Sequence, residues 1–468
     1  MSYRASIACN RVAPVLGRRL PKTYHILPGT PSWAYALALA AILMPTPGRA
    51  EPPSALTMHT RLAFETPEPL RSPNAAPPRD GWTLAELEQM ALAQNPTLAK
   101  ARAQVQAAQG HCLQAGLYPN PVAGYSEEEV GDEGTAGKQG GFVAQEFVTG
   151  GKLRLDQAVA SREVQRRRQL WASQQFRVLT DVRVRFYDVL VAQRRLEITR
   201  RLVDIAQQSI ETTESLLQAQ EVSRVDLLQA RVEADSAEAM QIGAEHQLQA
   251  AWRRLVAVVG LPQLPRKPLA GEADALPPAW TWEEALRRVM AQSPELSAAA
   301  AEVAKARCQL QRERVEWIPN IDLRAAVHHD NASGDDVAAV EVGIPLPLFD
   351  RNQGNITAAC AELIAAQRDL ERVRLELRSR LAETFERYAT ARQQVELYQR
   401  GILPNARQSL ELVAGGYRQG EFGYLALLTA QRTFFQASLT HLVALKALRA
   451  SQSEIDGLLL HGSLGPGE

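Results

Sequence analysis

The chain has 468 residues, enough for two or three ordinary domains. Its 52 Lys and Arg balance its 52 Asp and Glu, so it lacks the net positive field on which nucleic-acid binding relies. Its four cysteines form no CxxC or Cys/His cluster, which argues against a metal site of the zinc-finger kind.

Residues 1–50 read as a secretory signal peptide, in preference to a buried N-terminal helix. Arg4, Arg11, Arg18, Arg19 and Lys22 precede an apolar run from Trp33 to Met44, and Gly48-Arg49-Ala50 offers small residues where a signal peptidase cuts. The run is too short to cross a bilayer, which takes about 20 residues. No cysteine follows it to carry a lipid anchor, and the long basic stretch before it leaves the start codon open. Residues 51–81, rich in Pro, Ser and Arg, read as a flexible segment. No later segment is apolar for long enough to be a transmembrane helix. If the chain sits in a membrane, it does so as a β-barrel.

The first repeat is expected over 82–262. A short helix from Leu84 to Ala93 breaks at Asn95-Pro96, and a second runs from about Thr97 to Leu117, ending at Tyr118-Pro119. Strands are expected within about 122–148, as Val122–Val130 and Gly141–Val148, around the glycine-rich loop 131–137. Thr149-Gly150-Gly151-Lys152 is a turn. From Lys152 to Val259 there is no proline and one glycine, Gly243. Val182, Val189, Leu196, Val203, Ile210 and Leu217 stand seven apart, with Ala192, Thr199, Ala206 and Thr213 in the other seam position. Such a heptad predicts close, left-handed packing of very long helices. A helix from Lys152 to Ala219 would run for about 100 Å. The hairpin tip falls near residue 222, where Ser223-Arg224-Val225-Asp226 has the spacing of a capping box with Asp in place of Glu.

After a linker at 263–279 the plan returns over 280–460, followed by a tail at 461–468. Tyr118-Pro119-Asn120-Pro121 recurs as Ile318-Pro319-Asn320-Ile321, and Leu227-Leu228-Gln229-Ala230 as Leu427-Leu428-Thr429-Ala430, each 200 residues on. Trp82-Thr83 recurs as Trp280-Thr281. Helices are expected over Trp282–Ala291 and Glu295–Trp317, separated by Pro294. Strands are expected within about 321–344, where Ile321, Leu323, Ala325 and Val327, then Ala338, Val340, Val342 and Ile344, alternate with polar or small residues. A further helix should run from about Gln353 to Arg400, with a kink at Gly401–Pro404 and a tip near 422. Cys112 and Cys308 hold nearly matching places in the two halves. A disulfide between them is open, although small buried apolar positions suit them better.

Strands of about ten residues with one apolar face match a transmembrane barrel. Four strands cannot close one, so several chains would have to share it. A soluble β-ribbon between coiled coils is the competing reading. His328-His329-Asp330 and the neighbouring Asp335 and Asp336 invite a metal-ligand reading. Adjacent histidines point to opposite faces of a strand, so a solvated loop is favoured. Glu127-Glu128-Glu129 reads as a solvated rim. No triad, P-loop, GxGxxG or HExxH is present, which argues against an enzyme and against a cofactor.

From about Trp82 to Leu460 this plan resembles the TolC-like outer-membrane factors of efflux systems. Thr149-Gly150-Gly151-Lys152 and the segment from Pro345 to Ile356 resemble the strand-to-helix turns of their heavy-metal branch. The resemblance implies a mainly α fold with a small β part. Duplicated long hairpins would form a periplasmic α-barrel, and four strands per chain would enter a twelve-stranded barrel of a homotrimer in outer-membrane lipid. It also implies docking onto a periplasmic membrane-fusion adaptor and a proton-driven inner-membrane pump of the resistance-nodulation-division class. The implied cargo is cobalt, zinc, cadmium, copper or silver. The turn residues Thr149, Gly150, Gly151, Pro345, Pro347, Asp350, Arg351, Asn352 and Gly354 then redirect strand into helix. Gln220, Glu221, Ser223, Arg224 and Asp226 at one tip, and Tyr417, Arg418, Gly420, Glu421, Gly423 and Tyr424 at the other, are candidate gate and adaptor contacts. A latch could join Arg224, Asp226, Arg418 and Tyr424, unless these residues only cap helices. A drug or protein duct and a periplasmic scaffold without a channel remain as alternatives.

Overall fold

The computed structural model describes residues 81–465, apart from 132, 133, 135 and 277. The expected signal peptide, the flexible segment before Gly81 and residues 466–468 of the tail lie outside the described residues. Within them one compact unit comprises Ala123–Val143 and Arg324–Val340. The other comprises the chain up to Val122, Ala144–Leu323 and the chain from Glu341.

Strands β1 (Val122–Glu128), β2 (Lys138–Phe147), β3 (Ile321–Asp330) and β4 (Asp336–Gly343) form one antiparallel sheet in the order β1-β2-β3-β4. The repeat thus becomes two hairpins that meet along β2 and β3. At that seam Gly140 lies so close to β3 that a Cβ would stand 1.9 Å from the Val327 carbonyl oxygen. The Arg324 guanidinium lies 4.2 Å over the Phe142 ring. β1 and β4 are the open edges, and β4 is exposed at every position but its last.

The other unit is helical. Helices α1 (Leu84–Gln94) and α5 (Trp282–Gln292) each start with a capping box, Thr83 with Glu86 and Thr281 with Glu284. Helices α2 (Pro96–Gln114) and α6 (Pro294–Glu313) begin on their prolines, with Asn95 and Ser293 as caps. The prolines expected as breaks are therefore first helical residues, where a missing N–H costs nothing. Helix α3 (Lys152–Gln218) runs for 67 residues and α4 (Arg224–Val259) returns beside it. Val182, Val189, Leu196, Thr199, Ala206 and Thr213 are buried along the α3 seam. Opposite them Ala230, Ala237, Ala244 and Ala251 of α4 are also buried, small residues that let the two backbones approach. Among the described residues no helix is long and apolar enough to cross a membrane.

The second half holds α7 (Gln353–Leu397), α8 (Leu403–Arg418) and α9 (Tyr424–Asp456). The kink expected at Gly401–Pro404 is instead a π-turn over Tyr398–Ile402. Comparison of the two seams gives the reason. Val182, Val189 and Leu196 of the first half correspond to Leu381, Tyr388 and Val395, 199 residues on, whereas Ala206 and Ile210 correspond to Ala406 and Leu410, 200 residues on. The second half carries one extra residue there, and a wider turn absorbs it without rotating the seam out of register. Cys112, Cys308 and Cys360 are free, so the pairing left open for the first two is not made.

Ion pairs tie α3 to α6. Glu163 accepts hydrogen bonds from Arg166 and Arg167, and Lys305 stands 3.2 Å away. Burial pushes the Glu163 carboxyl up, but the hydrogen bonds and charges of Arg166 and Lys305 outweigh it and hold it at about 2. A carboxyl depressed on folding stabilises above its unfolded value, here 4.5, and loses that contribution as pH falls toward about 2. Glu163→Gln should therefore flatten acid unfolding between those limits, with little effect on that slope at neutral pH. Thermal melts across that range check it.

Candidate functional site

Both hairpin tips are built by the same local chemistry. After α3 the chain enters the left-handed region at Gln220 (φ 60), and Glu221 N–H donates to the Leu216 carbonyl at 2.9 Å. After α8 it does so at Gly420 (φ 77), and Glu421 N–H donates to the Gly416 carbonyl at 2.8 Å. Each tip thus satisfies the last helical carbonyls with a residue in left-handed conformation. Helix α4 then starts on the expected capping box: Ser223 N–H donates to Asp226 Oδ2 at 3.0 Å and Asp226 N–H to Ser223 Oγ at 3.3 Å. Gly423 begins α9 with no side-chain cap.

The two hairpins meet through apolar residues at the tips. Tyr417 and Tyr424 are 3% and 4% exposed, with ring centroids 6.1 Å apart, and pack with Ala230, Leu427 and Leu428. The Tyr417 hydroxyl lies 3.1 Å from Thr213 Oγ1. Burial, reinforced by the charge of Glu233, pushes the Tyr424 hydroxyl up to about 12, so it stays neutral. Further along, Gln431 Nε2 donates to Ser209 Oγ at 3.3 Å, and Arg432 pairs with Glu233 across the hairpins. A cavity of about 760 Å³ opens between them, lined by Ala206, Met240, Tyr398 and Phe435 among others.

The structure redistributes the expected latch. Gln220, Glu221, Ser223, Arg224, Gly420 and Gly423 are exposed, and Asp226 is committed to its cap. Arg418 is exposed, and its Nε donates to the Ala414 carbonyl of its own helix. Among the described residues neither Arg224 nor Arg418 forms an ion pair within the chain. Tyr424 is the one member of the expected latch that joins the hairpins. Thr213, expected as a seam residue, is buried there and meets the Tyr417 hydroxyl. The Glu233–Arg432 pair carries no sequence signal, because a cross-hairpin pair needs a helix register that sequence spacing does not give. Tyr417 and Tyr424, seven apart across a turn, did carry a visible signal.

The strand-to-helix turns form a second constellation. Gly150 and Gly151 take φ of 65 and 70, and Lys152, buried, donates from Nζ to Asn320 Oδ1 at 3.0 Å. Thr149 Oγ1 donates to the Pro319 carbonyl at 2.5 Å, and Asn320 Nδ2 to Glu146 Oε1 at 2.6 Å. After β4, Asn352 takes φ 61, and its amide donates to the Glu313 carbonyl and carboxylate at 2.9 and 2.7 Å. Asp350 Oδ1 accepts from Asn352 N–H at 2.8 Å, whereas Pro345, Arg351 and Gly354 are exposed and Pro347 is half-buried. His328 is buried against Ser126 Oγ at 2.9 Å, while His329 pairs with Asp336 at 3.0 Å, so the two rings point apart. No group of three metal-ligating side chains gathers among the described residues.

A family model described as outer membrane efflux protein matches residues 87–261 and 285–459. The cobalt-zinc-cadmium resistance protein CzcC of Cupriavidus metallidurans is 28% identical over 383 residues, 81% of this chain and 90% of that protein. The nickel-cobalt-cadmium resistance protein NccC of Alcaligenes xylosoxydans xylosoxydans is 26% identical over 302 residues, 62% of this chain and 66% of that one. A crystal structure of CusC superposes with a TM-score of 0.68 at 18% identity, covering 83% of this chain and 96% of that one. The open state of the MtrE outer membrane channel of Neisseria gonorrhoeae gives 0.63 at 19% identity, covering 81% and 89%. The structural likenesses show a TolC-like fold, and the family match spans most of the described chain. The protein thus belongs to the outer membrane efflux protein family.

Proposed function

We propose that the chain is the exit duct of a tripartite efflux system whose cargo is heavy-metal cations of the cobalt, zinc, cadmium, copper or silver group. The observation that carries the duct is the four-stranded sheet with both edges open. In lipid such edges leave backbone groups unpaired, so neighbouring copies must complete the barrel. Three copies give the twelve strands of the resembling family. The cargo assignment rests on metal-resistance relatives, one matched over 90% of its length.

The duct is passive. A proton-driven inner-membrane pump supplies the energy, and a periplasmic adaptor docks at the tips formed by Gln220–Asp226 and Tyr417–Tyr424. The packed Tyr417 and Tyr424 hold the two hairpins of each copy together, and docking parts them. The turns at Thr149–Lys152 and Pro345–Gly354 pass the chain from tilted strand to long helix.

A strain lacking this protein should become hypersensitive to one or more of these cations and accumulate the metal, while antibiotic tolerance stays unchanged. Sensitivity to antibiotics alone, with normal cell metal, would assign the duct to drugs instead.

A further inference from the structure

The duplicated plan makes the same joint twice in sequence but only once within the chain. In the complete joint, the turn after β2 seats on the turn before β3, which belongs to the other half. Asn320 is its centre: its Oδ1 accepts from Thr149 N–H at 3.3 Å and from Lys152 Nζ at 3.0 Å, and its amide donates to Glu146 at 2.6 Å. Ile318 covers Gly150, where a Cβ would come within 3.2 Å of it.

The repeat places Asn120 at the position of Asn320 and Tyr118 at that of Ile318. It also aligns the two left-handed residues that begin the long helices, Gly151 (φ 70) and Asn352 (φ 61), which puts Asp350 at the position of Thr149. Yet Asn120 is exposed and has no hydrogen bond among the described residues. Tyr118 is 66% exposed, and Phe349, next to Asp350, is 91% exposed. The Pro119 carbonyl accepts from Gln145 Nε2 at 3.0 Å, but the Tyr118 and Asn120 side chains before β1 stand open, as does the complementary turn after β4, each beside an edge strand of the sheet.

We infer that the Phe349-Asp350 turn of one copy seats on Tyr118-Pro119-Asn120 of the next copy, repeating between chains the joint that Thr149 and Asn320 make within one. The inference rests on the trimeric reading above and specifies its contact. Asp350 Oδ1 holds Asn352 N–H, so its second oxygen takes the Asn120 amide as donor, while Phe349 covers Tyr118. Such a head-to-tail contact between unlike surfaces closes into a ring when the rotation permits.

The test is disulfide capture in the full-length protein in outer membranes, with Cys112, Cys308 and Cys360 replaced by serine. Asn120→Cys with Asp350→Cys should give covalent dimers and trimers on oxidation. Glu146→Cys with Asn320→Cys should link within one chain and give none. As a second readout, Asn120→Asp sets two carboxylates against each other and should lower the temperature at which the unboiled trimer dissociates. Adding Asp350→Asn should restore it. An intact trimer without the ladder, or no restoration by the double variant, overturns this joint and leaves the trimeric duct standing. A wild-type protein that forms no trimer removes both.

Discussion

Gly140→Ala is expected to abolish assembly of the protein in the outer membrane. The new Cβ would lie 1.9 Å from the Val327 carbonyl oxygen and 2.6 Å from the His328 Cα. Both are backbone atoms, so no rotamer change relieves the contact. Strands must separate beyond the usual spacing of about 4.8 Å, and among the described residues the β2–β3 ladder is the only pairing that joins the strands of the two halves. Without it each half keeps a two-stranded hairpin, which is marginal alone. The cost lies at or above the upper end of the ~1–3 kcal/mol of ordinary overpacking. Gly124→Ala is the internal control. The atoms nearest its Cβ all belong to the ring of Phe142, a side chain that can swing aside, so its effect should be small. Unboiled gels of outer-membrane fractions decide it: no trimer band is expected for Gly140→Ala. A wild-type band would show that the seam is looser than described.

Tyr417→Ala is expected to make the closed duct leak while leaving its amount unchanged. Tyr417 is 3% exposed and packs against Tyr424, with its hydroxyl on Thr213. Truncating a buried aromatic costs about 3–5 kcal/mol. That loss falls on the small cluster between the hairpin tips, separate from the two larger cores that hold the long helices. Tyr417→Phe keeps the packing and gives up one hydrogen bond, worth about 0.5–1.5 kcal/mol, so it should stay closed. The exposed Arg432–Glu233 pair contributes about 0–1 kcal/mol at most, and its removal should matter less than the ring. Entry of a large antibiotic that the outer membrane normally excludes is the measurement. An impermeant Tyr417→Ala trimer would move the gate away from this cluster.

Local chemistry is what the sequence carried well. The heptad from Val182 to Leu217 fixed the long first helix nearly to the residue, because proline and glycine are absent where the seam runs. Ser223 and Asp226 marked the start of α4 because a capping box is a contact of one turn. Pro96 and Pro294 start their helices one residue before the expected Thr97 and Glu295: proline signals a break and a first helical turn equally well, and only the Asn95 and Ser293 caps separate the two. The π-turn was hidden for a different reason. A single inserted residue leaves every local pattern intact and shows only when Leu196 and Val395 are aligned before Ala206 and Ala406. At the tips, Arg224 and Arg418 make no ion pair within the chain among the described residues, whereas Tyr417 and Tyr424 pack between the hairpins. Pairing across hairpins depends on helix register over many turns, which is also why Arg432 with Glu233 and Lys152 with Asn320 went unseen.

Copies of this chain are expected to enclose a water-filled path through a membrane. The deciding measurement is conductance of a planar lipid bilayer after addition of the protein purified from outer membranes. Discrete conductance steps from trimers are expected, larger and longer-lived for Tyr417→Ala. A wild-type protein that inserts but never conducts, even with the tips unlatched by Tyr417→Ala, would contradict such a path.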